Sequence, residues 1–378
     1  MKESSGKRVL ILLPFLDLGG AEKQGFYIAR SLKNSGRYEV VLASLQEGTG
    51  NLRSNLYEYA IETVNLDIPF EAFYNRRNRL AVYLKFLIFL RKKKIDILLP
   101  FTYHCNVMSA SVFRFAGVKT CLWFQIAMEY HLPLSTFEKL ALKFSPTYAA
   151  NSKSAAKFIA NKHQKPENEI HIIPNPFEVL TPKMSGKNWR KKLGLNNQDK
   201  MLFMAANFFP EKDHNTLIRG FSLALKKNPH LKLVLAGNDT SGKADNIRSL
   251  SFQLGLSIDN VIFVGSTSDV SGLIEAADIC LLTSISEGSP NALIEYLGYG
   301  KPVVASAIPS IIELTGSDYL YLFEPGNSIN LKEKIEDICN VLNEKETLNR
   351  MNQLRKNIRS IYSVESNLEA FEKILIRE

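Results

Sequence analysis

Short apolar runs alternate with stretches of helical spacing along the chain, and this alternation constrains the fold more than any other feature. The run Val9–Leu13 is followed by a Gly19-Gly20 turn signal and by Ala21–Asn34, whose apolar residues recur at helical spacing. Similar runs follow at Tyr38–Ala43, Ile61–Val64, Ile95–Leu99, Thr120–Phe124, Thr147–Ala150 and Ile170–Ile173. Strand, turn and helix in repeated order predict a doubly wound parallel sheet.

A second series begins after Pro174–Phe177 and the polar stretch 181–192, which we interpret as an interdomain linker and a lead-in helix. Its runs lie at Met201–Ala205, Leu231–Ala236, Val261–Val264, Ile279–Leu282, Val303–Ser306 and Tyr319–Phe323. Residues 331–378 have helical spacing throughout. We therefore predict an α/β protein of two Rossmann-like domains, covering residues 1–178 and 179–360.

The segment from Ser284 to Glu295 follows a buried run and carries the strongest functional signal. Ser289 suits an N-cap, and Pro290 suits the first helical position because its missing N–H would be unpaired there. A strand, a tight loop and a helix start would direct backbone N–H groups at one point, which favours an anion such as phosphate.

Two carboxylates flank that point, Glu287 in the loop and Glu295 in the helix. Glu295 lies five residues past Pro290, roughly 7–8 Å along the helix axis. A carboxylate accepts hydrogen bonds from a pair of hydroxyls, so one glutamate for each sugar of a nucleotide diphosphate-sugar is chemically sensible. For either glutamate alone, an ordinary turn with a solvated side chain is the better explanation.

The run Glu287-Gly288-Ser289-Pro290-Asn291, its spacing to Glu295 and the run Lys301–Ala305 resemble retaining glycosyltransferases of family 4, of the bacterial cell-surface polysaccharide type. The resemblance implies the GT-B fold, in which two Rossmann-like domains face a central cleft that binds the donor. It also implies that Glu287 contacts the donor sugar and Glu295 the ribose. The last helix, at about 361–378, is then expected to pack back on the first domain.

The same resemblance implies binding roles for other loops. Gly19-Gly20 lies where open α/β sheets bind ligands, and the resemblance implies contact with the donor phosphates; otherwise it is a plain turn. Gly265 ends a strand of the second domain and is a candidate to line the pocket for the base.

The loop Asn207–His214 offers Lys212, which would neutralise the departing diphosphate. Family members often carry an arginine ahead of this lysine, and Asn207 stands there instead. Either another cation replaces that arginine, or Lys212 and loop N–H groups act without it. A solvated surface lysine is the alternative.

Three residues at strand ends of the first domain are candidates for contacts with the acceptor or the sugar: His104, Gln125 and Glu129. For each taken singly, a packed or capping side chain is the simpler explanation.

The excess positive charge lies in the first half of the chain. Residues 1–180 hold 24 Lys and Arg against 15 Asp and Glu, whereas residues 181–378 hold 23 of each. Leu80–Leu90 is dense in apolar residues and is followed by Arg91–Lys94. Either this helix contacts an anionic membrane surface, or it packs on the sheet with a charged last turn.

The cysteines and the lengths of the apolar runs indicate the cellular compartment in which the protein is expected. The four cysteines are scattered without a Cys-x-x-Cys pair, which favours a reducing compartment and argues against a structural metal. No stretch reaches the roughly 20 apolar residues that span a bilayer, and Val9–Leu16 is too short for a signal peptide. We expect a cytoplasmic protein, free or on the inner face of the membrane.

Together these features predict a retaining, metal-independent glycosyltransferase without a cofactor, using a sugar nucleotide of the UDP or GDP type and a glycan or lipid-linked acceptor. The alternatives are a nucleotide-sugar epimerase or hydrolase on the same fold and a non-catalytic nucleotide-sugar binding protein. Nucleic acid is not an expected partner, since only the net charge of +9 favours it.

Overall fold

The computed structural model describes residues 6–16, 20–48, 59–126, 136–144, 146–239 and 242–375. The chain divides into two compact units, Met1–Pro176 with Tyr362–Glu378, and Phe177–Ile361. Each unit is built around one parallel sheet.

The sheet of the first unit has seven strands. They are β1 (Lys7–Leu13), β2 (Tyr38–Ser44), β3 (Glu62–Asn65), β4 (Ile97–Pro100), β5 (Thr120–Gln125), β6 (Thr147–Ala150) and β7 (His171–Ile172). Their order is β3-β2-β1-β4-β5-β6-β7, and every pair is parallel.

Helices cover both faces of this sheet. They are α1 (Gly20–Asn34), α2 (Arg76–Lys93), α3 (Tyr103–Ala116), α4 (Thr136–Lys143) and α5 (Lys153–His163). Side chains of β1 alternate between two apolar cores: Val9 and Ile11 face α1, whereas Leu10 and Leu12 face α2 and α3. A parallel strand buried on both sides needs a continuous apolar run, which explains the pattern in the sequence.

The sheet of the second unit has six strands. They are β8 (Lys200–Ala205), β9 (Leu231–Ala236), β10 (Val261–Gly265), β11 (Ile279–Leu282), β12 (Val303–Ser306) and β13 (Leu322–Phe323), in the order β10-β9-β8-β11-β12-β13. Its helices are α6 (Gly186–Lys192), α7 (His214–Lys227), α8 (Lys243–Gln253), α9 (Val270–Ala276), α10 (Asn291–Gly298), α11 (Pro309–Thr315), α12 (Ser328–Val341) and α13 (Lys345–Ile361).

The last helix, α14 (Val364–Leu375), belongs to the first unit. Phe371, Ile374 and Leu375 lie in the same apolar core as Val9 and Ile11. The Nδ2 atom of Asn367 donates a hydrogen bond of 2.7 Å to the carbonyl of Pro174, at the end of the first pass through this unit.

The prediction of two Rossmann-like parallel sheets is confirmed, and each predicted apolar run contains or overlaps a strand. The helix start at Ser289 was wrong by one residue. Pro290 is the N-cap of α10, and its carbonyl accepts the first helical hydrogen bond from the Ile294 N–H at 3.1 Å. Residues 331–375 are helical apart from short breaks at 342–344 and 362–363, and they form parts of three helices.

None of the helices in the described ranges is long and apolar enough to cross a membrane.

Candidate functional site

The second sheet has a topological switch point between β8 and β11. The chain leaves β8 toward β9 on one side and leaves β11 toward β12 on the other. Open α/β sheets bind ligands at such a point, outside the carboxyl ends of the strands. Here the loop after β8 meets the loop after β11, which brings Asn207–His214 next to Ser284–Pro290.

Hydrogen bonds join these two loops. The Ile285 N–H donates to the Glu211 carbonyl at 2.8 Å, and the buried Thr283 hydroxyl donates to the Lys212 carbonyl at 2.8 Å. The Ser306 hydroxyl, at the end of β12, donates to the Ser284 carbonyl. One backbone bond and two side-chain hydroxyls that donate to backbone carbonyls therefore fix the loops at this edge of the sheet.

Lys212 and Glu287 form an ion pair across the switch point. The Lys212 Nζ contacts Glu287 Oε1, and the Ser284 hydroxyl donates to the same oxygen at 2.7 Å. The side chains of Lys212 and Glu287 are 24% and 12% exposed, so most of the pair is removed from water. Among the described residues, only Oε1 of this carboxylate has partners.

Glu295 lies in the second turn of α10 and is half-buried. Its neighbour Tyr296 is completely buried, and the Tyr296 hydroxyl accepts a hydrogen bond of 2.7 Å from the Ala205 N–H at the end of β8. Tyr296 thus fixes α10 against β8. Four residues lead into this helix. Gly288 and Pro290 are buried, whereas Ser289 and Asn291 are half-buried.

Asn207 connects the loops that follow β8 and β9. Its Oδ1 accepts from the Asn238 N–H at 2.9 Å. The two chains approach closely here, since a Cβ on Gly237 would lie 2.0 Å from the Ala206 carbonyl oxygen. Gly265 ends β10 at a φ of +76°, and its carbonyl accepts from the Gly237 N–H at 3.0 Å. Asn207 and Gly265 therefore shape the same edge of the sheet as Glu287.

His214 begins α7 and is buried beside the ion pair. Its ring stacks on Phe208 with 4.6 Å between centroids, and Phe208 in turn stacks on Phe263 at 6.0 Å. Burial lowers the pKa of His214 to about 4, and the positive charge of Lys212 adds to this effect. The imidazole is therefore neutral at neutral pH.

Lys301 opens the run Lys301–Ala305 that resembles the family. Its side chain, however, supports the edge of the sheet opposite to Glu287. Its Nζ donates to the carbonyls of Glu275 and Ala277 at 2.8 and 2.7 Å, at the carboxyl end of α9. Burial lowers the pKa of this ammonium group. Lysine at a helix carboxyl terminus satisfies carbonyls that lack helical partners.

The first sheet has its own switch point, between β1 and β4. Gly20 opens α1 after β1, whereas Gly19 lies outside the described residues. After β4, Thr102 is the N-cap of α3 at φ +72° and ψ 163°. Positive φ is unfavourable for a β-branched residue and costs on the order of 1–3 kcal/mol. Such strain at a ligand-binding edge marks a candidate functional position.

His104 is surrounded by aromatic rings. Its ring centroid lies 5.0 Å from that of Phe73 and 5.4 Å from those of Phe70 and Tyr103, and its Nε2 is 3.4 Å from the Tyr74 hydroxyl. Burial lowers the pKa of His104. The side chain is thus packed and neutral, with one edge beside a hydroxyl.

Gln125 ends β5 as a buried side chain, and its Oε1 accepts from the Trp123 Nε1 at 3.4 Å. Glu129 lies outside the described residues.

Sequence reasoning missed Ser284, Thr102 and the packed state of His214. Ser284 lies three residues before Glu287, and serine side chains in loops often bond to residues that close. The hydrogen bond between the two could therefore have been predicted from the sequence. The backbone strain of Thr102 leaves no signal in the residue type.

The described residues contain no group of three or more His, Cys, Asp or Glu side chains that could hold a metal ion.

Comparison with known proteins finds similarity to a described family within the second unit. Residues 185–360 match the family model of glycosyl transferases group 1. An uncharacterized glycosyltransferase of Haemophilus influenzae is 27% identical over 210 residues, which are 55% of this chain and 55% of that protein. The UDP-Gal:alpha-D-GlcNAc-diphosphoundecaprenol alpha-1,3-galactosyltransferase of Escherichia coli is 22% identical over 233 residues, 58% of this chain and 59% of that protein. The chain spans about half the length of the curated relatives it matches.

The whole chain is similar to solved structures. HepE of Anabaena, in complex with UDP and glucose, superposes with a TM-score of 0.81 and 20% identity, covering 98% of this chain and 100% of that one. The fold is therefore GT-B, with two Rossmann-like parallel-sheet domains. Within it, residues 185–360 are the part that matches the glycosyl transferases group 1 model.

Proposed function

We propose that this protein is a retaining, metal-independent glycosyltransferase that moves a sugar from a nucleotide diphosphate to a hydroxyl of a glycan or lipid-linked acceptor. The proposed setting is the biosynthesis of a cell-surface polysaccharide or lipopolysaccharide. One observation carries the proposal: the Lys212–Glu287 pair lies at the switch point of the second sheet, beside the start of α10. The names of the Escherichia coli relative and of the Anabaena complex support the same class of donor.

Glu287 is the proposed contact to the donor sugar. Its Oε1 is held by Lys212 and Ser284, and this orients Oε2 to accept hydrogen bonds from sugar hydroxyls. A carboxylate fixed before the donor binds needs no reorganisation, so the sugar is positioned at low entropic cost.

Lys212 and the amino end of α10, at Ser289–Asn291, are the proposed partners of the diphosphate. Negative charge develops on the leaving phosphate as the sugar departs, and a nearby cation and helix amides stabilise it. The side-chain carbonyl of Asn207 is held by a backbone N–H. In the absence of the family's arginine, we therefore assign the main cationic contribution to Lys212.

The remaining roles follow the resemblance. Glu295 is the proposed ribose contact, and Gly265 lines the base pocket. For the first unit, the resemblance assigns Gly19 and Gly20 to contact with the donor phosphates. His104, Gln125 and Glu129 are proposed for the acceptor or the sugar. No enzyme nucleophile is required if the departing phosphate takes the proton of the acceptor hydroxyl on the front face.

Calorimetry with bare UDP and GDP tests the two glutamate roles. Glu295→Ala is expected to weaken nucleotide binding about tenfold or more, because a ribose hydroxyl pair loses a charged acceptor worth about 1.5–3 kcal/mol. Glu287→Ala is expected to change nucleotide binding less and to abolish sugar transfer, since its proposed partner is the sugar.

Asp259→Ala is the matched control, because Asp259 is an exposed carboxylate at the amino end of β10, the opposite edge of the same sheet. Equal losses in Glu287→Ala and Glu295→Ala would contradict the assigned roles. Release of free sugar without transfer to any acceptor would favour a hydrolase. Unchanged turnover in Glu287→Ala would favour a different catalytic site.

A further inference from the structure

The outward face of α2 in the first unit is apolar, although it is exposed. Val82, Phe86 and Leu90 pack into the core beneath the sheet. On the other side of the helix, Leu80, Leu84 and Ile88 are 70%, 56% and 55% exposed. These three follow one another at intervals of four residues, so they form one line along the helix, which we call the α2 ridge. A helix that is apolar on both sides is expected to contact a second apolar environment in addition to the core.

Two aromatic side chains are exposed near the ends of the ridge. Tyr74 precedes the helix, directly before its N-cap Asn75, and is 77% exposed. Phe115, near the end of α3, is 55% exposed. The guanidinium of Arg91 donates to the Phe115 carbonyl at 2.7 and 3.2 Å, which places Phe115 at the carboxyl end of α2. Aromatic side chains at the margins of an apolar strip are typical of the membrane–water boundary.

Positive charge flanks the ridge. The helix Arg76–Lys93 contains seven Lys and Arg and no acidic residue. Arg79, Lys85 and Lys93 donate to carbonyls or to a carboxylate of the first unit. Within the described part of the chain, the exposed side chains of Arg77 and Lys92 make no hydrogen bond or ion pair. One lies before the ridge and the other after it, so both are positioned for anionic groups on the same side.

We propose that the α2 ridge binds the surface of an anionic lipid bilayer. The helix lies in the interface, with Leu80, Leu84 and Ile88 among the upper acyl chains and with Arg77 and Lys92 among the lipid phosphates. An apolar strip with cationic ends matches this layered surface, in which apolar chains lie beneath negative headgroups.

A second copy of this chain fits the face less well. A twofold contact would place the same surface on both sides, so two helices with seven basic residues each would lie against one another. Like charges at that distance repel, whereas an anionic bilayer attracts both the ridge and its flanks. The proposal is independent of the catalytic role of the second unit.

Cosedimentation of the full chain with phosphatidylglycerol vesicles and with phosphatidylcholine vesicles tests the proposal. The wild type is expected to bind the anionic vesicles, and salt is expected to weaken that binding. The double variant Leu84→Asn/Ile88→Asn is expected to bind at least about tenfold more weakly, because it removes two inserted aliphatic side chains. The double variant Arg77→Gln/Lys92→Gln is expected to lose about fivefold for each charge on anionic vesicles.

Phe252→Asn/Ile258→Asn is the matched control, since these two apolar side chains are at least as exposed, at 60% and 71%, but lie in the second unit. It is expected to bind vesicles like the wild type, and thermal melting confirms that every variant is folded. The proposal is overturned if the wild type does not bind phosphatidylglycerol vesicles, if it binds phosphatidylcholine equally well, or if Leu84→Asn/Ile88→Asn retains full binding. A wild-type dimer that this variant separates, without vesicle binding by either, would assign the ridge to self-association instead.

Discussion

The ion pair between Lys212 and Glu287 is mostly buried, so the charge of each side chain is compensated by the other with little help from water. Removal of either one leaves an uncompensated charge that is largely out of water. We expect Lys212→Ala and Glu287→Ala each to lower the free energy of unfolding by about 1–3 kcal/mol. The double variant is expected to lose less than the sum of the two, with a coupling energy of about 1–3 kcal/mol in urea unfolding.

Arg350 and Asp318 provide the matched pair. Their nitrogen and oxygen atoms are 2.8 Å apart, but the side chains are 40% and 71% exposed. The same cycle on this pair is expected to give less than about 1 kcal/mol, because water screens exposed charges. Equal coupling energies in the two cycles would mean that burial does not strengthen the Lys212–Glu287 pair.

His214 makes stability depend on pH in a narrow window. Its pKa is lowered to about 4 in the folded protein, against 6.5 for an unperturbed imidazole. Between these values the unfolded chain binds a proton that the folded chain does not, so protonation favours unfolding. The stabilisation is complete above about pH 6.5 and is lost as the pH falls toward 4, a change on the order of 2–3 kcal/mol.

Comparison of the wild type with His214→Phe isolates this effect, because phenylalanine retains the stack on Phe208 without a titratable group. Chemical unfolding from pH 7 to pH 4 is expected to show a steeper loss for the wild type than for the variant. Parallel curves would show that another group is responsible for the acid sensitivity.

At the scale of elements, α14 completes the core of the first unit from the far end of the chain. Phe371, Ile374 and Leu375 are 1–3% exposed and pack with β1 and α1. Phe371→Ala is expected to lower the stability of the first unit by about 3–5 kcal/mol, since it removes a buried aromatic ring and leaves a cavity. Hydrogen exchange is expected to rise in β1 and β2 and to stay unchanged in β8 and β11.

Leu348→Ala is the control for that variant. Leu348 lies in α13 and is 47% exposed, so its loss is expected to change stability by less than about 1 kcal/mol. If Phe371→Ala instead raised exchange in β8, the two units would not unfold independently.

The sequence predicted elements well where one local rule decided them. Apolar runs of four to six residues predicted β6, β9, β11 and β12 to the residue, because a strand buried on both faces requires such a run. The spacing in α2 predicted a helix but not its buried side, because both sides are apolar. The start of α10 was misplaced by one residue, since Ser289 and Pro290 both suit the ends of a helix.

At the scale of the molecule, the order of the strands in each sheet could not be predicted from the sequence. Lys212 and Glu287 are 75 residues apart, and each was singled out from its own loop. Only the adjacency of β8 and β11 shows that the two residues pair, and alternation of strands and helices does not fix which strands are neighbours. The strain at Thr102 could not be predicted either, because a positive φ runs against the preference of a β-branched residue and leaves no signal in the residue type.

The hydrogen bond between Asn367 and Pro174 has a consequence for how this chain can be rearranged. It places the start of the returning segment beside the end of the outgoing one, so the first unit receives residues 177–361 as an insertion with adjacent ends. Such a segment can be exchanged as a block without cutting any strand of the seven-stranded sheet. A chimaera that keeps this first unit and takes the intervening block from a relative should therefore retain Asn367 and Pro174. The hydrogen bond between them then lies next to both junctions of the inserted block.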